Sequence, residues 1–239
     1  MWSWYVKFAF CLVSLRDLFF PRKCIVCGES LSPDENHFCF ECFRKMPLTY
    51  FWQWRDNPAR EKLAERIELE DAAALFFYRP SSGFRMLTQA VKYGGDRLLG
   101  YRLGFMLGMF MSQKEWFSSI DAVTPVPLHP LRRYRRGYNQ AQIIARGIAD
   151  ALGVPLVCGL VRRRRYTRTQ TRLDTAAKEK NVKGAFAVRK PKAKKILDRG
   201  VGNILLVDDV LTTGATLSQC AAALGKHFRV SVASLGFVG

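Results

Sequence analysis

The sequence predicts an α/β fold, a twisted parallel sheet flanked by helices, preceded by a small metal-binding module. Three observations carry that expectation. From Asp71 to the end, apolar strand-length runs alternate with helical ones. Asn203–Val207 (NILLV) is apolar on both faces, as a buried parallel strand is, and leads into two acids and a Thr/Gly turn. Ahead of it all stand two CxxC pairs, Cys24/Cys27 and Cys39/Cys42.

The elements follow in order. Residues 1–20 are rich in aromatics (Trp2, Trp4, Tyr5, Phe8, Phe10) and read as an amphipathic helix docked on the domain. The uncharged run between Lys7 and Arg16 is far short of the roughly 20 residues a span needs. Residues 21–50 hold the cysteine pairs, and 51–70 read as a linker and a polar helix. Residues 71–239 form the main domain, with Asp71–Arg79 as a strand and helices over Phe84–Tyr93 and Arg97–Met111. Asp121–Pro127 is a strand, followed by a basic loop and a helix from about Asn139 to Leu152, stopped by Gly153. A last helix carries Leu217, Cys220, Ala221 and Leu224 on one face, and Val230–Phe237 closes as a strand.

Charge restricts the partners. Thirty-eight Lys and Arg against twenty acids give +18, a field that attracts phosphates, nucleic acids or anionic lipid. Seven cysteines, an odd count with no secretory signal, argue for a reducing, cytoplasmic compartment.

The cysteine pairs are separated by eleven residues and can supply four thiolates in a tetrahedron, a closed structural zinc site. So small a segment would take its folding free energy from the metal. Two disulfides are the alternative, and the reducing compartment disfavours them. His37 lies between the pairs and is not expected to replace a ligand. Phe38, Phe40 and Phe43 are expected to pack the module's own small core, with base stacking as the other use of such rings. Cys11, Cys158 and Cys220 read as core residues.

The segment Ile204–Leu217, ILLVDDVLTTGATL, carries the chemistry. The strand is read as ending at Asp208 and Asp209. Amides of the following turn and helix start lack internal partners and favour an anion. Gly214 permits close backbone approach, and Thr212, Thr213 and Thr216 add hydroxyls. Acids beside a phosphate cradle make sense when they accept hydrogen bonds from sugar hydroxyls. No GxxxxGK[ST] loop is present.

Pro127–Gln140 (PLHPLRRYRRGYNQ) suits a second polyanion. Arg132, Arg133, Arg135 and Arg136 offer guanidinium forks, Gly137 gives a turn, and the helix start at Asn139–Gln140 adds donors. A solvated basic loop is the ordinary reading of such charge. Arg162–Arg172 (RRRRYTRTQTR) reads equally as a flap over a ligand, with Arg168 touching it, or as a nucleic-acid tether with Tyr166 stacking on a base. Lys92 and Tyr93 are possible ligand contacts, though a surface lysine is the safer reading.

ILLVDDVLTTGATL resembles the diphosphate-sugar signature of the type I phosphoribosyltransferases nearly residue for residue. The resemblance implies that Asp208 and Asp209 hold the ribose hydroxyls and that Thr212, Thr213, Gly214, Ala215 and Thr216 wrap the 5′-phosphate. It makes Asp208, Asp209 and Arg136 the candidate catalytic residues, with magnesium on the diphosphate. The 6-oxopurine salvage enzymes carry an acid at the position of Thr212, so that specificity is not expected. Together, VPLHPLRRYRRGYNQ, RTQTRLDTAAKEKNVKGAF, LLVDDVLTTGAT and the CxxC pairs resemble the ComF family of competence proteins, whose relatives include a protein linked to gluconate use. This likeness runs from about Phe20 to the end. It implies phosphoribosyl diphosphate as ligand, single-stranded DNA as a partner during DNA uptake, and a helicase partner. Turnover with an unknown acceptor and a ligand-sensing role are the alternatives.

Overall fold

The computed structural model describes residues 21–128, 134, 136–163 and 184–239. The helix expected over 1–20, Cys11, Arg132, Arg133, Arg135 and the run from Arg164 to Arg172 lie outside them.

The chain enters through the cysteine module, with a short helix α1 (Phe40–Arg44), then a 3-10 turn (Phe51–Gln53) and α2 (Pro58–Ala64). Next come β1 (Ala72–Phe77), α3 (Arg85–Lys92), α4 (Arg97–Ser112) and α5 (Glu115–Ser118). After β2 (Ala122–Pro125) and α6 (Gln140–Leu152) stand β3 (Val161–Arg163), β4 (Phe186–Val188) and α7 (Lys190–Leu197). The chain closes with β5 (Asn203–Leu211), α8 (Ala215–Leu224) and β6 (Arg229–Phe237). The sheet order is β1-β6-β5-β2, every pair parallel. One hydrophobic cluster lies on each face, as a two-sided parallel sheet requires. Beyond β2, Val123 pairs in parallel with Leu156, so residues 155–157 extend that edge.

Three expectations change. The strand does not end at the acids. β6 is equally long and pairs with β5 through Leu211, opposite Phe237, so the ladder carries the backbone past Asp209. In the 51–70 segment the polar helix is present as α2, but the residues ahead of it, read as a linker, are packed on the domain. Phe51 and Trp52 are buried, Trp52 stacking on Phe110. Buried Asn57 caps α2 by accepting from the Ala59 and Arg60 amides, and its own amide group donates to the carbonyls of Phe51 and Ala72. Finally, β3 and β4 form an antiparallel hairpin, with α7 after it. Strands of three residues are too short for alternation to reveal them.

Helices α4 and α6 stack closely because glycines let their backbones meet. A Cβ on Gly147 would stand 2.2 Å from the Tyr101 carbonyl oxygen, and one on Gly104 would stand 2.3 Å from that of Ile144. Backbone cannot yield as a side-chain tip can. Gly147→Ala is therefore expected to cost about 3 kcal/mol, roughly 8 °C in melting temperature. Gly202→Ala, with no neighbour closer than 3.8 Å, serves as the control and should melt like the parent in the same calorimetric scan.

Candidate functional site: a cavity at the carboxyl ends of β2 and β5

A cavity of about 490 Å³ opens where β2 and β5 end, between their following helices. It brings together both predicted halves. From β5 and its loop come Asp208, Asp209, Thr212 and Thr216; from the basic loop and α6 come Arg136, Asn139 and Gln140. Lys92, Tyr93 and Arg163 complete its polar wall.

The acids sit among cations. Lys92 Nζ is 3.1 Å from Asp209 Oδ2, so the lysine read as a surface group belongs to the cavity. Its place at the end of α3, reaching across to β5, is a tertiary fact that no local signal in the sequence announces. Arg136 stacks over the Tyr93 ring at 5.0 Å, and buried Gln140 donates to the Lys92 carbonyl at 3.4 Å. Gly137 takes the left-handed conformation (φ 75°) expected of the turn before α6.

Burial and the neighbouring Asp209 push the Asp208 carboxyl from 3.8 up to about 7, although the Asp209 amide donates to its Oδ1 at 2.9 Å and Lys92 and Arg163 pull it down. Such a group stabilises the fold while protonated, and that contribution fades as pH rises from about 4 through about 7. Asp208→Asn is accordingly expected to melt like the parent at pH 4. Its advantage should grow until about pH 7 and then level off, as read by calorimetry across pH.

The turn after β5 is split. Thr212 and Thr216 line the cavity, whereas Thr213, Gly214 and Ala215 do not. The Thr213 carbonyl accepts from Arg66 Nη1 at 2.7 Å on the opposite side of the turn. Gly214, at φ 76°, precedes α8, and a Cβ there would stand 2.9 Å from Leu63 Cδ2. The segment expected to be a linker and a polar helix thus braces the turn.

At the module, the four cysteine sulfurs lie within 4.8 Å of one another, and Cys27 Sγ is 3.8 Å from Cys39 Sγ. Four sulfurs at zinc's bond length of about 2.3 Å span tetrahedral edges of about 3.8 Å, so the cluster fits zinc. Burial raises the Cys24 thiol, but backbone amides, those of Cys27, Cys39 and Val26, outweigh it and bring the thiol to about 6, toward the ligating thiolate. His37 instead pairs with Asp96 at 3.2 Å, fastening the module to the start of α4. The phenylalanines do not form a closed core. Phe38 stacks on Phe43 at a 6.1 Å centroid distance, while Phe40 and Phe43 remain exposed, because α1 is a single short turn with little surface to cover them. Cys220 is buried as expected; Cys158 is only partly so.

The parallel sheet covered on both faces, its acid-bearing strand β5 and a four-cysteine cluster at the amino-terminal side define an α/β domain with an attached cysteine module, as the sequence led us to expect. No family model matches the chain. It is 28% identical over 224 residues to Competence protein F of Haemophilus influenzae, covering 87% of this chain and 93% of that one. It is 34% identical to the DNA utilization protein YhgH of Salmonella typhi and 32% identical to that of Escherichia coli K12, each over 112 residues, 47% of this chain and 46% of theirs. The similarity to Competence protein F thus spans most of both chains. Among solved structures, it aligns with glutamine phosphoribosylpyrophosphate amidotransferase from B. subtilis, complexed with ADP and GMP. That alignment has a TM-score of 0.35 and 22% identity, covering 75% of this chain and 31% of that one. The sheet and the cavity, not that alignment, carry the assignment of the class.

Proposed function

We propose that this chain binds phosphoribosyl diphosphate, or a related ribose phosphate, at the β2/β5 cavity and acts in the cytoplasmic handling of single-stranded DNA during DNA uptake. The observation that carries the reading is the convergence of Asp208 and Asp209 with Arg136, Lys92, Thr212 and Thr216 in one cavity. Carboxylates accept from ribose hydroxyls, and threonine hydroxyls with the amides ahead of α8 suit a phosphate. Arg136 and Lys92 suit the diphosphate, which would bring magnesium with it. Arg132, Arg133, Arg135 and Arg168, outside the described residues, belong to the same proposal through the resemblance alone.

The DNA role is supported by the names of the relatives, a competence protein and DNA utilization proteins, and by the +18 charge. Among the described residues, no helix is long and apolar enough to cross a membrane. A helicase partner is part of the proposal by family resemblance. Titration calorimetry with phosphoribosyl diphosphate and magnesium tests the core of the reading, and absence of binding at millimolar ligand would sink it.

Turnover is a second reading, favoured by the presence of Arg136 in the same cavity as the acids, where it can hold departing diphosphate. Diphosphate release in the presence of candidate acceptors distinguishes transfer from retention of the ligand.

A further inference from the structure

A second cavity, about 400 Å³, lies across a partition from the first. The two share Pro127, Leu128, Asn139 and Arg163. The second is built at the outer edge of the sheet, where residues 155–157 run parallel to β2 and turn through Cys158 and Gly159 into the β3–β4 hairpin. Three arginines line it, Arg162, Arg163 and Arg189, and no acid is among its described lining residues.

The hairpin register explains the grouping. Arg162 pairs with Ala187, and Arg189 stands two residues further along the same strand direction, its amide donating to the Leu160 carbonyl. Side chains alternate along a strand, so Arg162 and Arg189 share one face, and Arg163 takes the other, toward Asp208. Like charges at diagonal positions on one face cost stability. Arg189 is also followed by Lys190 and Lys192 in the first turn of α7, where the helix dipole disfavours cations. Both costs are relieved by an anion resting between the two exposed arginines. The walls Pro125, Pro127, Leu128 and Val161 add apolar surface beside that charge, the combination a nucleotide presents in return.

We propose that this cavity is a second phosphate site, and that it takes a backbone phosphate of a single-stranded nucleic acid. The proposal deepens the DNA-handling part of the reading above and is independent of what fills the first cavity. It divides the basic run at its described end: Arg163 borders both cavities, whereas Arg162, with Arg189, faces the second alone and serves the strand.

The test uses the full chain and a fluorescein-labelled single-stranded dT 20-mer, followed by anisotropy from 50 to 200 mM salt. For the Arg162→Ala, Arg189→Ala double variant, affinity should fall roughly tenfold or more, and the slope of log K against log salt should shrink by about 1.4, the value for two phosphate contacts on a single strand. Arg162→Lys, Arg189→Lys should retain most of the slope, and thermal melting should show both variants folded. Affinity for phosphoribosyl diphosphate should change less than twofold. An unchanged affinity and slope for the 20-mer overturns the proposal. So does a variant that loses inorganic diphosphate binding but keeps the oligonucleotide. A loss of oligonucleotide binding in protein that never binds phosphoribosyl diphosphate supports the second site while removing the assignment of the first.

Discussion

Replacing Asp208 and Asp209 together by Asn is expected to weaken ribose-phosphate binding at least a hundredfold. In the proposed complex, above about pH 7 where Asp208 too is ionised, each carboxylate accepts a charge-assisted hydrogen bond from a sugar hydroxyl, worth about 1.5–3 kcal/mol. The loss of two amounts to about 3–6 kcal/mol, or two to four decades in the dissociation constant. Asn keeps the size of Asp and part of its acceptor ability, so the cavity walls survive. The exchange also removes the partner of Lys92 at 3.1 Å and leaves that ammonium against a neutral amide. Titration calorimetry with phosphoribosyl diphosphate reads the affinity, and melting at pH 8 shows that the variant is folded. A change below fivefold would mean that the acids do not face the sugar.

The second large effect is expected at the module. Cys42→Ser should lower bound zinc from one per chain to below a tenth, measured by elemental analysis of the purified protein. Cys42 is buried in the cluster, so no surface residue can substitute for its sulfur, and three ligands do not close a tetrahedral site. Metal binding contributes the folding free energy of such a segment, so proteolysis should then cut within residues 21–50. The His37–Asp96 pair fastens the module to the domain, and Gly83 packs so near it that a Cβ there would stand 2.6 Å from the Val26 carbonyl oxygen. Chelation of the parent protein should reproduce the cleavage. An intact zinc content in Cys42→Ser would remove the four-thiolate assignment.

The chemistry of both sites is legible in the sequence because each is built largely from short segments. Asp208, Asp209, Thr212 and Thr216 sit within nine residues, and their spacing places them between a buried strand and a helix, though not where the strand stops. The two CxxC pairs likewise declare a four-thiol cluster, since a knuckle is a local structure. The β–α alternation gives the parallel sheet, because the connection between parallel strands must cross over a face.

What the tertiary structure alone decided is which distant groups meet. Lys92 reads as an ordinary surface lysine until α3 delivers it to Asp209. Asn57 and Leu63 belong to a stretch that reads as a linker and a polar helix, and the fold makes them tie β1 and the Gly214 turn together. The arginine run offers two uses in sequence; the hairpin register divides its first two members between opposite faces. Periodicity and motif spacing report a residue's neighbours along the chain. Burial, the Asp208 proton affinity and the meeting of Arg162 and Arg189 at one cavity depend on segments far apart in sequence, and folding alone places them side by side.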